Sequence, residues 1–209
     1  MKVFIDVSRG RKGAAEDEGF TLTEFLICAL TILLAASAAF GVLSEIQRTA
    51  SHQAEVQSVL NNTRVAMQAV ERYIRQAGND PFACGLSAVT IVNGTAVQLR
   101  SDVTGSDASN PDKGDPDGDA NDSGENVTIR FNERSRSIEI VPDGGSPQII
   151  ANYISNLAFQ YYDLEGAETE SSRKVRRIAV AISGSSPFPN PQTGRPFGVT
   201  LRSEILIAT

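Results

Sequence analysis

The chain has 209 residues, 41% of them hydrophobic and 21% charged, and Lys+Arg 19 against Asp+Glu 25 give a formal net charge of -6. A chain of about this length holds one domain, or one domain with an appendage. The acidic balance argues against a broad nucleic-acid surface, which needs a basic excess. The single His excludes multi-His metal centres and disfavours a His-based triad, and two Cys cannot build a disulfide-dense scaffold.

Residues 1–19 are polar and end in Gly19. Phe20 to Leu43, FTLTEFLICALTILLAASAAFGVL, is apolar apart from hydroxyls and one carboxylate, Glu24. About 24 helical residues reach roughly 36 Å, enough to cross a hydrocarbon core of about 30 Å. The run is too long for the apolar core of a secretory signal peptide. A cleaved signal ending near the small residues Ala35 to Ala39 is the alternative. Glu24 is the odd residue, because a carboxylate at the bilayer centre costs about 2.5–3.5 kcal/mol. It either sits at the membrane boundary or needs a cationic partner inside.

The segment Gly19-Phe20-Thr21-Leu22-Thr23-Glu24, followed by the apolar run, resembles the processing site of type IV pilins and type II secretion pseudopilins. The resemblance implies that a membrane prepilin peptidase and N-methyltransferase cuts between Gly19 and Phe20 and methylates Phe20. It also implies that Glu24 meets the N-terminal amine of a neighbouring subunit during filament assembly. Two buried opposite charges offset part of each other's desolvation, whereas either alone is costly. Two features depart from the pattern: Glu16, Asp17 and Glu18 stand before the Gly, and Gly41 occupies a position where many major pilins have a helix-kinking Pro. Lys2, Arg9, Arg11 and Lys12 supply positive charge further back, consistent with a cytoplasmic leader.

From Ser44 to Ala77 there is no Pro or Gly, and Ile46, Thr49, Gln53, Val56, Leu60, Thr63, Met67, Val70 and Ile74 recur at steps of three and four. This predicts that the helix continues through residues 44–77 with one core-facing stripe. Gly78-Asn79-Asp80-Pro81 stops it, with Gly at the C-cap and Pro beyond.

Residues 78–209 read as a β-rich domain. Val89 to Leu99 forms a hairpin around Asn93-Gly94. Val127, Ile129 and Phe131 alternate with polar residues, as do Ile138 with Ile140 and Leu157 with Phe159 and Tyr161. Val175 to Ile182 and Val199 to Ile207 make two more strands. The expected fold is α+β and pilin-like: a long N-terminal helix, its first half transmembrane, packed on one face of an antiparallel sheet. The order of RQAGNDPFACG, an acidic loop, ENVTIRF, LAFQYYDLEG, KVRRIAVAI and TLRSEILI is similar to PilW-type minor pilins, with J-type pseudopilins sharing the outline.

Residues 102–125 form an acidic loop with Lys113 as its one basic residue. Asp115, Asp117, Asp119, Asn121 and Asp122 place oxygens in the manner of a calcium loop. Ala120 stands where an EF-hand has its turn Gly, so a Ca2+ site and a plain solvated loop both stay open. Ser183 to Gly198, with Pro187, Pro189, Pro191 and Pro196, reads as a long stiff connection. Phe188 and Phe197 on it either contact another subunit or lie on a tolerated surface loop. Cys28 and Cys84 lie too far apart along the chain to pair if the helix is continuous. Arg173, Lys174, Arg176 and Arg177 enter a strand, as a solvated edge or as partners for the acidic loop. His52 is a lone polar residue on the extramembrane helix.

No phosphate loop, nucleophile elbow or CxxC pair is present in the sequence, so the expectation is a protein that is the substrate of an enzyme and not an enzyme. The resemblance implies a minor pilin that helps prime a type IV pilus used for adhesion, motility or DNA uptake. Its partners would be other pilin subunits, the processing peptidase and an inner-membrane assembly platform. It would rest in the inner membrane with a periplasmic domain, then enter a filament near its tip. No direct contact with nucleic acid is expected. A type II secretion pseudopilin and a membrane-anchored β-domain binding module are the alternatives.

Overall fold

In the computed structural model, residues 21–105, 115–122, 124–190 and 193–207 are described. Gly19, Phe20 and the rest of residues 1–20 lie outside them. The chain divides into two units, with the boundary between Gln47 and Arg48.

The first unit contains the opening half of helix α1, which spans Leu22–Gln76. Ala and Leu dominate its apolar half, and such side chains lose little freedom in a helix. Gly41 does not interrupt it. The helix therefore continues through the position where a kink was in question.

The second unit holds the rest of α1 and eight strands. A five-stranded antiparallel sheet has the order β1-β2-β3-β4-β5, from β1 (Val89–Asn93), β2 (Ala96–Arg100), β3 (Asn126–Asn132), β4 (Ser137–Pro142) and β5 (Gln148–Ala151). A three-stranded antiparallel sheet follows, β6 (Ile154–Tyr162), β7 (Arg177–Pro189) and β8 (Pro196–Leu206). The expected α+β layout, a long helix on antiparallel strands, is the one found. The single expected sheet is instead two. The break falls at Tyr153, whose φ of 62° turns the chain between β5 and β6, so β6 pairs with β7 and not with β4. The Phe159 N–H, donating to Gly94 O at 2.9 Å, joins the second sheet to the β1–β2 turn.

One core lies between the helix and both sheets. Val59, Thr63, Ala66, Met67, Val70 and Ile74 are the buried face of α1. Each large apolar side chain among them contributes about 1.5–3 kcal/mol by leaving water. The buried face starts only at Val59. Ile46, at the head of the expected stripe, is 58% exposed, and Leu60 is half-buried. Periodicity gave the right face, but it cannot say how far the sheets extend beneath it.

The helix ends as its sequence dictates. Gly78 takes φ 82°, which favours Gly, and its N–H donates to Arg100 O at 2.9 Å. The β1–β2 hairpin turns at Asn93, whose side chain accepts the Thr95 N–H at 2.8 Å. Strand β5 was not expected; four residues after Gly144-Gly145-Ser146-Pro147 are too few to show a period.

The segment 183–198 corrects a second expectation. In place of a long stiff connection between shorter strands, its residues 183–189 and 196–198 are the outer part of the β7–β8 hairpin, paired as far as Pro189 and Pro196. Pro187, Pro189 and Pro196 are tolerated because β6 reaches only to Gly184 in register, so the described outer part of the hairpin is two-stranded and needs fewer backbone donors. The ladder slips between Ser185 and Pro189, and Ser186 bridges the slip. Its hydroxyl donates to Phe188 O at 2.7 Å and accepts the Phe197 N–H at 3.0 Å.

Candidate functional site

The apolar run begins with a closed hydrogen-bond ring. Thr21 O accepts the Phe25 N–H at 3.1 Å, which makes Thr21 the N-cap of α1. Thr21 Oγ1 accepts the Glu24 N–H at 3.3 Å, and Glu24 Oε2 accepts the Thr21 N–H at 2.9 Å. The Thr21 hydroxyl also donates to Glu24 Oε2 at 2.8 Å. Thr-x-x-Glu with reciprocal bonds is a capping box, and it satisfies helix donors that otherwise have no partner. That sequence signal was available in Thr21-Leu22-Thr23-Glu24 and was not used above.

The other hydroxyls of the run are also satisfied locally. Thr23 Oγ1 lies 3.2 Å from Thr21 Oγ1. Thr31 donates to Cys28 O and Ser37 to Leu34 O, each at 2.8 Å. Hydroxyls bonded to their own helix add little cost to apolar surroundings. The side chains around them face outward within this unit: Phe25 is 65% exposed and Leu33 67%. The helix is long and apolar enough to cross a membrane, and none of its most apolar window is buried.

A scan against protein-family models and a search of curated proteins both return no match for this chain.

The acidic loop is organised by two carboxylates that do not belong to the expected set. Asp102 and Glu125 are buried. Asp102 accepts the N–H groups of Asp117 at 3.1 Å and Gly118 at 2.9 Å. Glu125 accepts those of Val103 and Thr104 at 2.8 Å and of Asp122 at 3.2 Å. Sequence reading counted both as loop charges, because composition does not separate a buried acid from a solvated one. Asp115, Asp117, Asp119 and Asn121 are exposed, and Asp122 is half-buried. Asp117 Oδ1 accepts the Asp119 N–H and Asp119 Oδ1 the Asn121 N–H, as in local Asx turns. Among the described residues no group of three or more His, Cys, Asp or Glu is placed to hold a metal ion.

Cys28 and Cys84 are both free and exposed. Cys84 lies on a turn built by Asp80, whose carboxylate accepts the N–H groups of Cys84, Gly85 and Leu86 at 2.9, 2.8 and 3.2 Å. The Cys84 N–H is the main cause that holds the Asp80 carboxyl below its ordinary range. The basic cluster disperses. Arg173 and Lys174 lie in a 3₁₀ turn, and the Arg176 side chain donates to the backbone oxygens of Arg173 and Val175. Arg177 pairs with Glu204 at 3.0 Å and covers the Tyr162 ring at 4.7 Å. Arg177 thus finds its acid on β8 and not in the acidic loop. His52 is half-buried on α1.

Proposed function

We propose that this protein is a minor pilin, a low-copy subunit that helps to prime a type IV pilus. The observation that carries the reading is the apolar run over residues 22–43 of α1, with none of its most apolar window buried and Glu24 near its start as its lone carboxylate, joined to a β-rich domain. In this reading cleavage follows Gly19 and methylation falls on Phe20. Glu24 then exchanges its Thr21 contacts for the amine of an adjacent subunit, so its charge stays compensated when the helix leaves lipid for the filament. The same chemistry serves a pseudopilin of a type II secretion system, and neighbouring genes for pilus or secretion-platform components separate the two.

Intact-mass measurement on the membrane-extracted protein tests the proposal. A mature chain starting at methylated Phe20 supports it, and a chain that retains Met1 removes both filament readings. In the latter case an anchored binding module becomes the better reading. An open trough of about 530 Å³ over the outer face of β6–β8, floored by Ala179 and Ala181, favours that reading. Calcium in the acidic loop, through Asp115, Asp117, Asp119, Asn121 and Asp122, is a separate proposal. A calorimetric calcium titration with no heat, and a melting temperature indifferent to EDTA, removes it.

A further inference from the structure

The fold sorts charge along the axis of the domain's part of α1. From Ser183 to Gly198 the sequence has no acidic residue and a single cation, Arg195, in a chain of net charge -6. Two contacts fix the direction in which this hairpin runs. A Cβ at Gly184 would overlap Thr63 Oγ1 and come within 3.1 Å of Val59 Cγ1. Four residues further on, the Phe188 N–H donates to Glu55 Oε1 at 3.2 Å. Four strand residues and eight helix residues both span about 12–13 Å. The hairpin therefore runs along α1 toward lower residue numbers, and its tip lies at the end of the domain that Arg48 enters.

The described residues of the acidic loop, 102–105 and 115–122, are fixed at the opposite end. Asn79 Nδ2 donates to Asp102 O at 2.7 Å, the Asp102 N–H donates to Asn79 O at 2.8 Å, and Asp102 holds the backbone of Asp117 and Gly118. From Glu55 to Gln76 the helix measures about 32 Å. Phe188 at the tip is 68% exposed, although Ser186 and Glu55 hold its backbone in place. The tip thus presents an exposed apolar ring, Phe188, and an exposed cation, Arg195, two kinds of group that suit a headgroup layer bearing anionic lipid. Leu43, the end of the apolar run, is five residue steps from Arg48, a reach of at most about 18 Å in any conformation.

We infer that the tip of the β7–β8 hairpin is a lipid-surface contact, in which Arg195 meets anionic lipid phosphates and Phe188 rests at headgroup level. The acidic loop is then carried away from the anionic surface. This rests on the membrane-anchor part of the proposed function and not on filament assembly.

The chain has no Trp, so Phe188→Trp introduces a single reporter, with Thr193→Trp as a second should the first disturb folding. The full chain is reconstituted in phosphatidylcholine vesicles, with and without phosphatidylglycerol, carrying a headgroup nitroxide. The expected result is at least twofold quenching of the reporter in the anionic vesicles. Arg195→Glu should return it toward the neutral-vesicle level, and a reporter at Asp119→Trp should stay unquenched. Chains that float with the vesicles but show no quenching overturn the inference. So does quenching indifferent to Arg195→Glu, or a blue shift that grows with protein density without lipid quenching, which marks a protein contact. Chains that do not float remove the anchor reading itself.

Discussion

Gly184 on β7 lies directly against Thr63 on α1, closely enough that a methyl group at residue 184 has no room beside the Thr63 hydroxyl. The hydroxyl is buried and donates to Val59 O at 2.7 Å, so its bonding is met inside the helix even though it faces the strand. Gly184→Ala is expected to destabilise by about 1–3 kcal/mol through overpacking. Thr63→Ala opens part of the same space, so the double variant should lose less than the sum of the two. A coupling above about 0.5 kcal/mol in denaturant unfolding checks this, and strict additivity refutes the contact as its cause.

Tyr161 has a different fault. Its side chain is buried on β6 beside Phe159, and its hydroxyl has no hydrogen-bond partner among the described residues. Burial pushes its phenol pKa upward. Removing an unsatisfied buried hydroxyl restores its desolvation cost, so Tyr161→Phe should raise stability by about 0.5–1.5 kcal/mol. A lower melting temperature for this variant would contradict the assignment.

Glu139 on β4 is buried, with Asn132 Nδ2 at 2.6 Å and Arg130 Nε and Nη2 at 2.9 and 2.8 Å. The Asn132 bond first, then Arg130, hold its carboxyl below the ordinary glutamate value. A depressed folded pKa stabilises above the unfolded value of about 4.3, and that contribution is lost as pH falls through the folded value. Glu139→Gln should therefore cost stability at neutral pH, about 1–2 kcal/mol since Arg130 is partly solvated, and the gap to the native chain should narrow below about pH 4. Unfolding midpoints measured from pH 7 to pH 3 test the sign. A gap that widens in acid would exclude this mechanism.

Glu24 has two separable roles, as cap and as charge. Gln serves a capping box nearly as well as Glu, whereas Ala does not. Glu24→Gln should leave the helix start formed and the chain in the membrane, yet reduce filament incorporation as strongly as Glu24→Ala. Thr21→Ala should do the reverse, loosening the cap by about 0.5–2 kcal/mol while the charge remains. Amide exchange of the first helical turn, compared with the amount of subunit in sheared filaments, distinguishes the two. Normal incorporation of Glu24→Gln would remove the charge from the mechanism.

What the sequence determined is local. The apolar run, the helix with its stop at Gly78, the Asn93-Gly94 hairpin and most of the strands follow from periods of 3.6 and 2 and from turn residues that act within a few positions. The capping box was equally legible, since Thr21 and Glu24 are three residues apart. What only the tertiary structure decided depends on residues far apart in the chain. The limit of the buried stripe at Val59 depends on which residues of other elements lie against α1, and no helical period encodes that. The roles of Asp102 and Glu125 come from backbone donors brought to them by loop closure, which leaves no trace in an acidic composition. The partner of Arg177 is Glu204 because strand register sets them side by side. The prolines of 183–198 suggest a loop until the shortness of β6 makes their missing donors harmless. The opening charge of -6 is likewise one number in the sequence, and only the placing of the β7–β8 hairpin and the described acidic residues at opposite ends of the domain gives it a direction.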